Sequence, residues 1–231
     1  MPLTDYEKYI RTEELLRLQK PAAELSTHDE LQFQIVHQVA ELWMKLVDHE
    51  LHEAVDHLDH DRTCRATHIL GRVARIMRLL VQQLDLLDTM APNDYMTIRT
   101  GLGRGSGQES PGFKTLLRLP GELVWPAVRA FIDRRGVPLL TIYQDPHAHP
   151  ELYQVCEALI DYDQLLQIWR QRHLMLVYRV IGAGTPSLKG KPSDLLAHGL
   201  KQRFFPELWA VRDQVFEEWT QSMKGDPGYH G

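Results

Sequence analysis

The sequence predicts an all-α protein, a long antiparallel helical bundle with an N-terminal arm. Apolar residues recur at helical spacing along most of the 231 residues, and the alternating pattern typical of strands is nearly absent. Proline or glycine marks several boundaries between the periodic runs. A chain of this length is expected to form one domain, residues 1–231.

The first half of the chain contains the longest periodic runs. Residues 5–19 read as a short helix that Pro21 ends, and residues 1–22 form the arm. Ser26 or Thr27 is expected to cap a long helix, and a second long run extends from 63 to 90.

The second half alternates helices with loops. Pro92 fits the first turn of a short helix that carries Tyr95 and Arg99. Loops are expected at 101–112, from its glycines, and at 134–150, the latter with one short turn. The other predicted helices are weaker ones at about 121–135 and 192–201 and strong ones at about 150–181 and 206–223.

Composition limits the possible partners and the location. A net charge of −5 and a pI of about 6.2 argue against nucleic acid or an anionic membrane surface as the main partner. No apolar run approaches the ~20 residues that span a bilayer, and the N-terminus has no signal segment, so we expect a cytoplasmic protein. Cys64 and Cys156 are expected to be buried thiols rather than a disulfide.

Familiar cofactor motifs are missing from the sequence. Histidines 49, 52, 57 and 60 crowd one helix end, which is expected to be a solvated charged surface rather than a metal site. No Glu-x-x-His spacing occurs, which excludes a di-iron helix bundle. The glycine stretch 101–112 follows a helix rather than a strand, so it is not a dinucleotide fingerprint.

Two other histidines stand among apolar residues on long helices. His37 comes one turn after Phe33, and His173 comes one turn after Trp169. From each pattern alone, a buried, hydrogen-bonded histidine is a better interpretation than a ligand. Both nevertheless belong to one chain with the Tyr95–Arg99 pair and the glycine loop, which favours a site.

At several places the sequence resembles the tryptophan 2,3-dioxygenase family of haem proteins. The similar segments cover most of the chain and follow the family's order, with 113–165 the least recognisable. They are DYEKYIRTEELLRLQ, HDELQFQIVHQVAELWMKL, LDLLDTMAPNDYMTIRTGLGRGSGQES, RHLMLVYRVIG and RFFPELWAVRD.

The resemblance implies haem b, with His173 as the axial ligand of the iron and the opposite position open to O2. His37 matches the family's distal histidine, which accepts a hydrogen bond from the substrate indole, and Phe33 would pack on the same ring. Arg99 matches the clamp for the substrate carboxylate, since a guanidinium can bind a carboxylate through two parallel hydrogen bonds.

The remaining implied site residues surround the substrate. Tyr95 would supply a wall and a hydroxyl, and Ser106 matches a family serine near the haem edge. Thr185 is expected near the substrate ammonium group, although GAGTPSLKG replaces the family's GTGGS-like stretch. Closure of loop 101–112, the substrate-site loop, would exclude water.

The resemblance also implies an interlocked homotetramer. Tyr6, Tyr9 and Ile10 match arm residues that reach a neighbouring subunit's site, so the arm would be exchanged between subunits. The other interpretation is that the arm packs on its own chain.

The leading functional hypothesis is oxidation of the indole C2–C3 bond of L-tryptophan or a substituted tryptophan with O2, giving an N-formylkynurenine-type product. Insertion of one oxygen atom, giving a hydroxylated or oxindole product, is the alternative. A haem sensor or storage protein without turnover, or a helical interaction module without cofactor, are the hypotheses from other classes.

Overall fold

The computed structural model describes residues 2–103, 105, 107–183 and 199–224, and it confirms the all-α prediction. Across these residues no β-strand occurs, and no helix has the length and apolar character needed to cross a membrane. The helices are α1 (Asp5–Ile10), α2 (Thr12–Leu15), α3 (Asp29–Asp59), α4 (Thr63–Gln82), α5 (Leu84–Leu87), α6 (Pro92–Gly101), α7 (Pro111–Leu119), α8 (Trp125–Arg135), α9 (Leu139–Gln144), α10 (Pro150–Ile181) and α11 (Pro206–Met223).

The centre of the fold is the packing of α4 between α3 and α10. Only residues 60–62 separate α3 from α4, and so short a connection makes the two helices antiparallel neighbours. Each of the three helices buries a stripe at three- and four-residue spacing, and each buried aliphatic side chain contributes about 1.5–3 kcal/mol. The side chains in these stripes include Val47, Leu51, Ala54 and Leu58, then Ala66, Ile69, Val73 and Met77, then Leu159 and Leu166.

The prediction of a Ser26 or Thr27 cap is wrong. Helix α3 begins at Asp29, and His28 at its N-cap makes no side-chain capping bond. Instead the buried carboxylate of Glu30 accepts hydrogen bonds from the Ser26 backbone N–H and hydroxyl, both at 2.7 Å. Lys20 forms an ion pair with the same carboxylate, so Glu30 attaches the end of the arm to α3.

Other predicted boundaries shift where turns interrupt the periodic runs. The run 63–90 divides into α4, α5 and a turn, and the loop predicted at 134–150 contains α9. Helix α7 begins inside the predicted glycine loop and leads through a π-helical turn, Pro120–Val124, into α8. Of the helix predicted at 192–201, residues 192–198 lie outside the described part and 199–201 form a 3₁₀ turn.

The first part of the arm is helical, and it buries no side chain on its own chain. Arg11 adopts a left-handed conformation at φ 55°, which divides the predicted helix 5–19 into α1 and α2. Thr4 and Glu7 form a capping box at the start of α1. Neither α1 nor α2 has a buried residue, so these two helices gain little from packing on this subunit, whereas residues 18–20 form hydrogen bonds to α3.

The C-terminal segment is attached to α10 by a buried carboxylate. Asp163 is fully buried and accepts hydrogen bonds from the backbone N–H of Phe204 at 3.1 Å and from the indole of Trp209 at 2.8 Å. A bond from Arg212 to Glu157 adds a second link between α11 and α10.

The two cysteines differ in environment. Both are free thiols, as predicted, but only Cys156 is buried, and Cys64 is exposed at the start of α4. Burial raises the pKa of the Cys156 thiol to about 12, and the neighbouring Glu157 carboxylate adds to the effect.

Candidate functional site

A second, smaller hydrophobic cluster forms where α3, α5, α6 and α10 meet. Its buried residues are Val36, Leu84, Leu87, Met90, Ile98, Leu176 and Val180. Phe33, Tyr95 and Trp169 pack against it. These three residues belong to α3, α6 and α10 respectively, so the fold brings together the segments that sequence analysis singled out.

His37 lies beside this cluster, on α3. Its Nδ1 is 2.7 Å from the main-chain carbonyl oxygen of Phe33, one turn earlier. A carbonyl only accepts, so Nδ1 carries the proton and Nε2 keeps a free lone pair in the neutral ring. The ring centroids of Phe33 and His37 are 4.1 Å apart, with 37° between their planes.

The protein around His37 lowers the pKa of its imidazole, mainly by desolvation, while the Phe33 carbonyl and Glu41 act in the opposite direction. The side chain is nevertheless accessible to solvent. His37 thus combines a solvent-accessible ring with a desolvating protein environment.

His173 lies on α10 and stacks on Trp169. The two ring centroids are 5.1 Å apart and the planes differ by 6°. Desolvation and, to a smaller degree, the charge that His37 would carry together lower the pKa of His173 to about 4. Both imidazoles are therefore neutral at physiological pH.

Tyr95 and Arg99 lie on α6, on the face that carries buried Ile98. The ring centroid of Tyr95 is 6.1 Å from that of Phe33. Desolvation raises the pKa of the Tyr95 hydroxyl, and the charge of Arg99 partly opposes this rise. Tyr95 therefore keeps its proton and remains a donor, with a cationic side chain one turn away.

Sequence reasoning missed Glu41, which joins α3 to the start of α7. Its carboxylate accepts a hydrogen bond from the Ser110 hydroxyl and another, at 3.0 Å, from the Gly112 N–H. Gly112 permits this approach, because a Cβ there would lie 2.7 Å from the Glu41 carboxylate and 2.7 Å from the Cβ of Met44. The one available signal was an acidic residue one turn after His37.

The roles of several predicted site residues are not tested by the structure. Ser106 and Thr185 lie outside the described residues. The arm residues Tyr6, Tyr9 and Ile10 are exposed, Tyr9 at 89%. Their assigned roles stay predictions.

The histidine-rich end of α3 holds no metal cluster within the described residues. His52 and His60 lie near carboxylates one turn earlier on exposed surface, as expected of a solvated helix end. His57 differs from the prediction, since it is only 7% exposed and its Nε2 is 3.3 Å from Glu53.

Comparison with known proteins gives one consistent result. The sequence model for tryptophan 2,3-dioxygenase matches residues 2–125 and 127–215. Proteins named tryptophan 2,3-dioxygenase from Myxococcus xanthus and Erythrobacter litoralis are 33% and 34% identical to this chain, covering 92% and 91% of it and 90% and 98% of their own lengths. One from Bacillus cereus is 33% identical and covers 91% of this chain and 92% of its own length. The chain therefore belongs to the tryptophan 2,3-dioxygenase family.

Proposed function

We propose that this protein is a haem-dependent dioxygenase that opens the indole C2–C3 bond of L-tryptophan or a substituted tryptophan. Both atoms of O2 enter an N-formylkynurenine-type product, and no outside reductant is consumed in a turnover. Family membership supports the activity. The observation that carries the assignment to this site is the hydrophobic cluster where α3 and α10 meet, with the Phe33–His37 ring pair on α3 and the Trp169–His173 ring pair on α10.

The residues around His173 support haem as the cofactor, and we propose that it is haem b. His173 would hold the iron as a neutral imidazole, and its lowered pKa keeps the ring neutral at physiological pH. The indole Nε1 of Trp169 is buried without a hydrogen-bond partner among the described residues, as expected beside a cofactor. Haem, when bound here, supplies the ferrous iron that activates O2.

His37 would orient the substrate from the other side of the site. Since its Nδ1–H is engaged by the Phe33 carbonyl, the free lone pair on Nε2 can accept the indole N–H. The low pKa favours this neutral acceptor form over the imidazolium. The ring of Phe33 adds an apolar surface for the indole.

Arg99 and Tyr95 would bind the amino-acid end of the substrate. A guanidinium on a helix can form two parallel bonds to the carboxylate, and the protonated Tyr95 hydroxyl can donate a further one. Ser106 and Thr185 are proposed to complete this end of the site.

We also propose a cytoplasmic homotetramer in which arms are exchanged. Tyr6 is 71% exposed and Tyr9 89%, and such aromatic exposure on a short arm favours a partner surface. In that assembly Tyr6, Tyr9 and Ile10 would reach the neighbouring subunit's site.

One pair of measurements tests the activity. Reduced protein reconstituted with haem should show a Soret band that shifts on adding L-tryptophan, and turnover under ¹⁸O₂ should place two labelled atoms in the product. A single labelled atom would instead establish monooxygenation. A Soret band without product from indole amino acids would favour a sensor, and the absence of any band would favour a helical interaction module.

The carboxylate clamp is tested separately with Arg99→Leu. This variant should keep its haem content and lose binding of L-tryptophan, while its affinity for tryptamine, which has no carboxylate, should match the wild type. Thr97→Ala is the matched control, because Thr97 is exposed on α6 and, among the described residues, its hydroxyl donates to the Asn93 carbonyl one turn earlier. Normal tryptophan binding by Arg99→Leu would remove Arg99 from the clamp.

A further inference from the structure

The side chain next to His173 is unusually well placed to fix its ring. Trp169 precedes His173 by four residues on α10, so the two side chains lie on one helix face. The indole and imidazole planes are parallel within 6°, with centroids 5.1 Å apart. An imidazole in this stack has one flat neighbour that limits its rotation about the Cβ–Cγ bond.

Trp169 is itself held by packing rather than by hydrogen bonding. Its Nε1 has no partner in the described structure, so no polar contact there sets the angle of the ring. Phe113 of α7 supports it, with ring centroids 5.0 Å apart and 38° between the planes. The indole thus contacts an aromatic ring on α7 and the imidazole of His173.

The support by Phe113 depends on how α7 begins. The backbone N–H of Phe113 donates to the Ser110 hydroxyl oxygen at 2.9 Å, and that hydroxyl donates to Glu41. The N–H of Gly112 donates to the same carboxylate. Glu41 lies one turn after His37, so these contacts connect the two histidine-bearing helices through α7.

We propose that Trp169 is a positioning residue for His173, which it holds in one ring orientation through the stack while α7 supports the indole. This proposal rests on the proposed function, since the role of His173 as an iron ligand is part of that function. Both rings are carried by α10, so the stack does not depend on contacts with the cofactor, and less rotational freedom of the ligand is lost on binding.

Two variants, Trp169→Leu and Trp169→Phe, distinguish the effect of a flat aromatic neighbour on His173 from the effect of side-chain volume alone. Leucine removes the stack and phenylalanine keeps a flat face. Because mutation of groups that orient a metal ligand costs roughly 10- to 100-fold in affinity, Trp169→Leu should weaken haem binding by about that factor, and Trp169→Phe should restore most of it. Trp43→Phe, a half-buried tryptophan in the main core, is the matched control and should change nothing at His173.

Two spectroscopic readouts report on ring orientation directly. In haem-free protein, the ring-proton NMR signals of His173 should be shifted upfield by the indole, with the shift lost in Trp169→Leu and kept in part in Trp169→Phe. In ferrous haem-loaded protein, the iron–histidine stretching band in resonance Raman spectra should broaden or move in Trp169→Leu alone. Far-ultraviolet circular dichroism verifies that each variant is folded.

The outcomes separate this proposal from the function on which it rests. Wild-type protein that binds no haem contradicts the proposed function, while the NMR shift still shows whether the stack orients His173. Normal haem binding with an unchanged iron–histidine band and unchanged haem affinity in Trp169→Leu overturns the positioning role. An unshifted His173 signal in the wild type also overturns it.

Discussion

Replacing Gly112 by alanine tests the close approach of α7 to α3. Gly112 is the second residue of α7, where alanine would ordinarily be favourable by about 1 kcal/mol. In this structure, however, the added Cβ would lie 2.7 Å from the Cβ of Met44 and 2.7 Å from the carboxylate oxygen of Glu41. Met44 is buried and its Cβ is tied to the backbone of α3, so one of the helices has to move.

The expected cost combines two effects. Overpacking a well-packed contact costs about 1–3 kcal/mol, and weakening the hydrogen bond from Gly112 to the Glu41 carboxylate costs about 1.5–3 kcal/mol. The gain in helix propensity offsets about 1 kcal/mol. The variant should therefore be destabilised by about 1.5–5 kcal/mol, which lowers Tm by roughly 3–20 °C for a chain of this size.

Gly71→Ala provides the matched control. Gly71 lies in α4, and a Cβ there would meet nothing within 4 Å. This variant should be more stable than the wild type by about 0.5–1 kcal/mol. Urea denaturation and calorimetry at one protein concentration measure both variants under the same assembly state.

Opposite signs for the two glycine variants are the decisive result. If Gly112→Ala is as stable as the wild type, or gains stability like Gly71→Ala, then α7 does not approach α3 as described. That result would also contradict the support of Phe113 by Glu41, because this support depends on the same approach of α7 to α3.

Three further substitutions test contacts elsewhere in the fold. Tyr162→Phe removes a buried hydroxyl that donates to the Leu116 carbonyl at 2.8 Å and should cost about 1–2 kcal/mol in urea denaturation; a loss below about 0.5 would contradict the bond. Asp163→Ala leaves the backbone N–H of Phe204 and the indole N–H of Trp209 unpaired, which should lower the free energy of unfolding by about 3 kcal/mol. The segment from residue 199 should also be cleaved faster by a protease. Unchanged proteolysis would contradict the attachment of this segment by Asp163. Hydrogen bonds from Lys20 and then from Ser26 lower the pKa of Glu30 from 4.5 to about 2, so its ionised form contributes its full stability above pH 4.5 and loses that contribution as the pH falls towards 2. Glu30→Gln should not show this acid-dependent loss of stability. Parallel pH–stability curves for variant and wild type would refute the prediction.

The helices that were predicted with correct bounds are those in which the spacing of apolar residues along the sequence matches the set of side chains that the fold buries. Helix α10 was predicted with its observed bounds, because its apolar residues recur without interruption and Gly182 follows its last turn. Helix α7 was missed because its glycine was counted with the preceding loop. Ser110 followed by Pro111 is a helix-start signal that could have located it, since Ser110 does cap α7.

The candidate site shows where a single sequence stops being informative. Spacing placed His37 beside Phe33 and His173 beside Trp169, and both neighbours are in ring contact. That α3 and α10 bring the two histidines together was implied by family resemblance and could not follow from periodicity. The bonds of Glu41 were also unpredictable, because they join residues about seventy positions apart, and such pairing depends on the tertiary fold.

The contrast between the two cysteines makes selective labelling at one thiol feasible. A maleimide dye reacts with thiolates, so at neutral pH it should modify Cys64 and leave Cys156 untouched. Cys64 is at the α3–α4 turn, and the 22 residues from His37 to Asp59 place that turn about 33 Å along α3 from the histidine pair. A fluorophore attached there would report by energy transfer on ligands that bind near the two histidines, without occupying their site.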